Sequence, residues 1–208
     1  MQSAPESLRI AGKSGGGYWT VKDWNKLDFT NEGDWQTAIS IFEDRFRGRY
    51  FDVIDQIREL EFSGFAIMSL LCLLVETLEQ FHRGEDETPF RKQVEYFSAF
   101  LERTAFSKSF DNSNKREAFC RMIRNGLLHQ AEVKGASRIL IRTGTPMVVY
   151  KSDPPGLEIN RDCFYVFMVE VFQTYVNQLR DANYSDRVLR NNFRKKMNFI
   201  CRVSRETV

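Results

Sequence analysis

The 208-residue chain suits one domain with appendages. Hydrophobic residues at 42% and eighteen Phe can supply a real core, and the net charge of +2 is not that of a dedicated nucleic-acid binder. The charge is uneven, however: residues 186–208 hold seven Arg and Lys against Asp186 and Glu206, a net +5, which leaves −3 for residues 1–185.

The N-terminus shows no apolar signal core. Residues 1–17, ending in Gly15-Gly16-Gly17, read as a disordered tail. Within it Ala11-Gly12-Lys13-Ser14 mimics a phosphate-binding loop, but Ser7 stands where that loop needs its first glycine. A domain of residues 18–183 follows. Asp34 is a plausible N-cap for a helix through Trp35, Ile39, Phe42, Phe46, Tyr50, Ile54 and Ile57, with Gly48 a point of bending. A second helix covers Gly64 to Phe81 and is apolar nearly all round, as in the centre of a bundle. Its longest apolar run, Phe65 to Val75, is interrupted by Ser69 and stopped by Glu76, too short to span a bilayer. His82-Arg83-Gly84 ends it.

A third helix is predicted from Pro89 to Glu102 and a fourth from Lys115 to about His129. Around residues 137–152 the pattern alternates. Ile139 and Ile141 face Val148 and Tyr150 across Gly144-Thr145-Pro146, which predicts a β-hairpin, with a short third strand at Leu157–Ile159. Asn160 caps a fifth helix, Arg161 to Arg180, and Ser185 or Asp186 opens a basic C-terminal helix within residues 184–208. The sum is a mainly α helical bundle with a small β insert. Cys72, Cys120, Cys163 and Cys201 form no CxxC pair, and His82 and His129 are the only histidines. Neither a metal site nor a disulfide framework is expected, nor any cofactor. The expectation is a soluble cytoplasmic protein without a membrane partner.

Chemistry is concentrated in Arg124-Asn125-Gly126-Leu127-Leu128-His129. On a helical wheel Phe119, Cys120, Ile123, Gly126 and Leu127 fall on one side. Arg121, Arg124, Asn125 and His129 fall on the other, with Leu128 among them. Arg124 and His129 diverge by about 140° on an ideal helix, so a second copy facing the first is expected to close the site.

An arginine, four residues and a histidine at a helix end resembles the signature of HEPN ribonucleases, and Asn125 fits the polar residue common after the arginine. Arg45-Phe46-Arg47-Gly48-Arg49-Tyr50-Phe51, and Gly64-Phe65-Ala66-Ile67 followed by Cys72 and Glu76, resemble the first two helices of a mostly uncharacterised bacterial HEPN subfamily. Gly126 to Glu132 resembles its active-site helix end. The resemblance covers residues 40–135. It implies a helical bundle, a homodimer with both motifs at a shared cleft, and metal-independent cleavage of RNA. In that chemistry His129 moves the 2′-OH or 5′-oxygen proton, Arg124 holds the phosphate, and Asn125 orients one of them. A toxin or defence role, with an antitoxin or regulatory protein as partner, follows from family analogy alone.

Each residue also has a plainer reading. His129 suits a helix C-terminus, and Arg124 suits a surface ion pair. Arg121, one turn before Asn125, and the stripe of Arg190, Arg194 and Lys195 either contact RNA or are solvated. Glu76 is either a supporting acid against the motif helix or the polar end of a core helix. The leading expectation is an endoribonuclease. The alternatives are a non-catalytic HEPN scaffold binding RNA, a nucleotide or a protein, and a DNA-binding regulator using the basic helix.

Overall fold

Helices dominate the computed structural model, which describes residues 4–141, 146–181 and 187–202, and a two-stranded and a three-stranded sheet accompany them. The chain divides into two units: residues 1–53, 81–86 and 174–208, and residues 54–80 and 87–173.

The first unit begins with strands β1 (Arg9–Gly12) and β2 (Tyr18–Thr20), paired antiparallel. The tail expected to be disordered, residues 1–17, therefore contains the first strand of a hairpin whose second strand follows it. Ile10 and Ala11 are buried, which a glycine-rich composition does not reveal. Thr20 then caps α1 (Val21–Asn25) in a reciprocal box with Asp23. Asn31, not Asp34, caps α2 (Glu32–Phe46), while Asp34 accepts the backbone N–H of Asp28 at 2.9 Å. The helix widens into a π-helical stretch at Arg47–Phe51, around Gly48, before α3 (Asp52–Ile57). Phe42 lies 4.5 Å from Phe46, 4.8 Å from Phe81 and 5.4 Å from Phe193, ring centre to centre.

Phe193 comes from α9 (Arg187–Ile200), whose Leu189, Phe193 and Met197 are buried. This helix belongs to the same unit as the N-terminal hairpin, and Trp24 Nε1 donates to Asn198 Oδ1 at 2.8 Å. Burying Phe193 contributes about 1.5–3 kcal/mol. The predicted start of this helix at Ser185 or Asp186 lies outside the described residues.

The long helix α4 (Gly64–Arg83) runs two residues beyond its predicted end and closes at Gly84, whose φ is +67°. A Cβ at Gly84 would lie 2.8 Å from Asn192 Cα, so close approach as well as backbone conformation requires glycine. By length and composition α4 is the one helix among the described residues suited to cross a membrane, and half of its apolar window is buried in the protein. It is not apolar-buried all round: Phe65 and Leu73 are exposed.

In the second unit α5 spans Gln93–Arg103, starting later than predicted because Pro89 to Lys92 form a turn. A 3₁₀ turn (Ala105–Lys108) leads to α6 (Ser113–Ala118), then a π-helical stretch (Phe119–Arg124), then α7 (Asn125–Gln130). Phe119 stacks on Phe164 at 5.2 Å, and Phe106 meets Phe164 at 4.5 Å, forming an aromatic core. Phe164 lies on α8 (Arg161–Arg180), whose first turn is capped by Asn160, the predicted cap, through Cys163 N–H at 3.2 Å.

The sheet corrects the predicted hairpin. β3 (Arg138–Leu140), β4 (Val148–Ser152) and β5 (Pro155–Asn160) are ordered β3-β5-β4. β3 runs parallel to β5, and the hairpin is β4 with β5, turning between Ser152 and Pro155. Alternation marked the strands but not their partners. Leu157 and Ile159 are fully buried, so β5 takes the centre. Residues Gly144 and Thr145 of the predicted turn lie outside the described residues.

Candidate functional site at the Arg124 to His129 helix

The six motif residues lie where the π-helical stretch gives way to α7. Phe119, Cys120, Ile123, Gly126 and Leu127 are buried, Arg121, Leu128 and His129 are exposed, and Arg124 and Asn125 are intermediate. This is the division the helical wheel predicts. The wide turn is marked by Asn125 N–H, which donates to Cys120 O five residues back. Such turns recur at functional sites because they re-aim side chains.

The chain leaves α7 at Ala131, in the left-handed conformation, and folds back along the helix. Lys134 N–H donates to Met122 O at 2.9 Å. Gly126 permits this return, since a Cβ there would overlap Glu132 O and sit 3.1 Å from Val133 Cα. The glycine inside the motif is therefore a packing requirement.

The guanidinium of Arg124 is held at both ends. Nη2 donates to Glu76 Oε2 on α4 at 2.9 Å, and Nη1 donates to Asn125 Oδ1 at 3.1 Å and stands 3.4 Å from His129 Nε2. The ion pair is largely shielded, its side chains 14% and 17% exposed, so solvent screens it less than a surface pair. Arg124 Nε is buried and has no hydrogen-bond partner among the described residues. With the proton on Nδ1, Nε2 of His129 offers its lone pair to the guanidinium.

Arg124 and His129 thus meet within one chain. The wheel angle describes where Cβ atoms point, whereas the long arginine side chain, anchored by Glu76 and Asn125, carries its tip back across the turn. The expected splay, and the need it created for a second copy to bring the pair together, are absent. Of the two readings of Glu76, contact with the motif helix is the one the geometry shows.

Two cysteines flank this pair. Cys72 precedes Glu76 by one turn and Cys120 precedes Arg124 by one turn. Burial pushes the Cys72 thiol up, and pushes Cys120 up to about 11, with Arg124 pulling each the other way. Both are protonated at neutral pH and are not nucleophiles. Their placement beside the ion pair was missed in the sequence, although the four-residue spacings carried the signal.

The other predicted contacts fare differently. Arg121 is exposed and pairs with Glu117 at 3.6 Å. Arg190, in the first unit, gives Nη1 and Nη2 to the two oxygens of Glu32 at 2.6 and 2.8 Å, Nε to Leu179 O at 2.9 Å, and lies over the Trp35 ring. Arg190 in turn holds the Glu32 carboxyl below the usual carboxylate range. All three nitrogens of Arg190 are thus engaged within the protein, so an RNA contact by this residue would have to displace one of these bonds. Arg194 lies 4.6 Å from the Phe29 ring centre, and Lys195 is exposed. These three belong to the first unit, whereas the motif belongs to the second. Comparison with protein-family models, with curated proteins and with solved structures finds no match.

Proposed function

We propose that this protein is a metal-independent endoribonuclease of HEPN type, with its helices arranged as a HEPN-like bundle. The observation that carries the reading is the approach of Arg124 Nη1 to His129 Nε2 at 3.4 Å, at an exposed helix end, with Glu76 fixing the arginine. RNA brings its own nucleophile. His129 Nε2 takes the 2′-OH proton, the 2′-oxygen attacks phosphorus, and the 5′-oxygen leaves with a proton. Arg124 stabilises the charge that develops on the phosphoryl oxygens, and Asn125 orients the guanidinium. The products are a 2′,3′-cyclic phosphate and a 5′-hydroxyl. One imidazole cannot be base and acid in the same step, so a homodimer that brings a second imidazole to the phosphate is part of the proposal. A toxin or defence role, with an antitoxin or regulatory partner, extends the same family analogy.

A second reading has its own observation. Glu76 already neutralises Arg124, which suits a non-catalytic scaffold that binds RNA, a nucleotide or a protein. Labelled RNA incubated with the purified chain in EDTA separates the two. Cleavage leaving cyclic phosphate ends is expected, with none on an all-2′-deoxy strand. Binding without cleavage supports the scaffold. A strict Mg²⁺ requirement, or cutting of the deoxy strand, sinks the mechanism.

A further inference from the structure

Two arginines meet in the first unit, Arg45 in the last turn of α2 and Arg49 on the wide helical turn at Arg47–Phe51. Arg45 Nη1 donates to Ile10 O in β1 at 2.6 Å, and Arg49 Nη2 donates to the same oxygen at 3.2 Å. Among the described residues neither guanidinium has another hydrogen-bond or ion-pair partner. The carboxylates of the same stretch are engaged elsewhere. Glu43 takes Arg47 and Arg180, and Asp44 takes Trp19 Nε1 at 2.8 Å and the Ser14 hydroxyl.

Two like charges therefore converge on one carbonyl oxygen, which carries only a partial negative charge. Arg45 is half-buried and Arg49 is exposed. Burial, and then the neighbouring Arg49, lower the Arg45 pKa from its ordinary value, the direction expected of an uncompensated cation. Each guanidinium carries five N–H donors and Ile10 O takes one from each, so further donors remain without a protein acceptor, those of Arg49 on an exposed side chain. A tetrahedral oxyanion fits two planar forks, relieves their repulsion, and gains charge-assisted hydrogen bonds.

We infer that Arg45 and Arg49 form a binding site for a phosphate oxyanion, separate from the Arg124 motif. The phosphate is either free or part of an RNA backbone, and the inference stands independently of the proposed ribonuclease activity.

The test uses the full chain. Thermal unfolding is followed with inorganic phosphate against chloride at matched ionic strength, and in parallel with a short single-stranded RNA. Phosphate is expected to raise the melting temperature in a saturable way. Arg49→Gln, at the exposed member, is expected to weaken the apparent affinity roughly tenfold or more, as loss of a charge-assisted contact does. Arg124→Ala is expected to leave the phosphate effect in place. A rise with RNA alone that Arg49→Gln removes also supports the site and identifies the backbone as source. No rise with either ligand, a rise that Arg49→Gln retains in full, or one that Arg124→Ala abolishes overturns the proposal.

Discussion

The motif helix and the basic C-terminal helix both carry arginines, but they use them differently. On α9, Arg190 is bonded through every nitrogen and stacked on Trp35, and Arg194 lies over Phe29. On the motif helix, Arg124 is held by the Glu76 carboxylate and the Asn125 amide oxygen and stands beside an exposed histidine, with Nε unpartnered among the described residues. A count of charge ranks α9 first. Commitment of donors ranks Arg124 above Arg190, because an arginine satisfied through every nitrogen gains little by turning to a phosphate.

The sharpest way to break that contrast is to truncate each arginine. Arg124→Ala and His129→Ala are expected to slow RNA cleavage by about 10²-fold or more, as loss of a transition-state donor or an acid–base group does. His129→Ala should melt like wild type, since the side chain is exposed. Arg124→Ala should melt lower, because Glu76 is left shielded and unpaired. Arg190→Ala is expected to do the reverse: about 1 kcal/mol lost from the Glu32 pair and the Trp35 stack, with cleavage unchanged. Gel-based rates and urea melts on the three variants decide it. Faster loss of cleavage in Arg190→Ala than in Arg124→Ala would invert the ranking.

Gly126→Ala tests whether the returning chain fixes the motif. Overlap with the Glu132 carbonyl should cost about 1–3 kcal/mol and reduce cleavage, with the apolar side of the helix untouched. Unaltered stability and rate would show that residues 131–134 do not brace the site.

The smallest effect concerns the thiols around the pair. The folded Cys120 titrates at about 11 against an ordinary value of 9.0. A raised folded value means that the unfolded chain loses its proton first. The stability it contributes is complete below pH 9 and is lost as pH rises towards 11. Cys120→Ala should therefore flatten the decline of stability between pH 9 and pH 11 in urea titrations. An unchanged slope would mean that Cys120 is not desolvated as the structure places it.

Much of the local structure was legible in the sequence. Helical periodicity located α4 and α8, and Asn160 was readable as a cap because its oxygen serves the next turn. The apolar and polar sides of residues 119–129 were also readable, since the wheel depends only on nearest neighbours along one helix. Partners far along the chain were harder to read: contact of Glu76 with the motif helix was one of two open readings, and the strand pairings were not found. Ile10 and Ala11 give a hairpin to a tail that composition marks as disordered, and β5, not β3, completes the β4 hairpin. By itself the sequence determined a mainly α protein and its helix faces, and it singled out one candidate residue cluster. Only the tertiary structure decided that Glu76 holds Arg124 against His129, that Arg190 is spent on Glu32, and that Arg45 and Arg49 share one oxygen. Those outcomes depend on where side-chain tips meet across the fold, and spacing along a chain does not encode that distance.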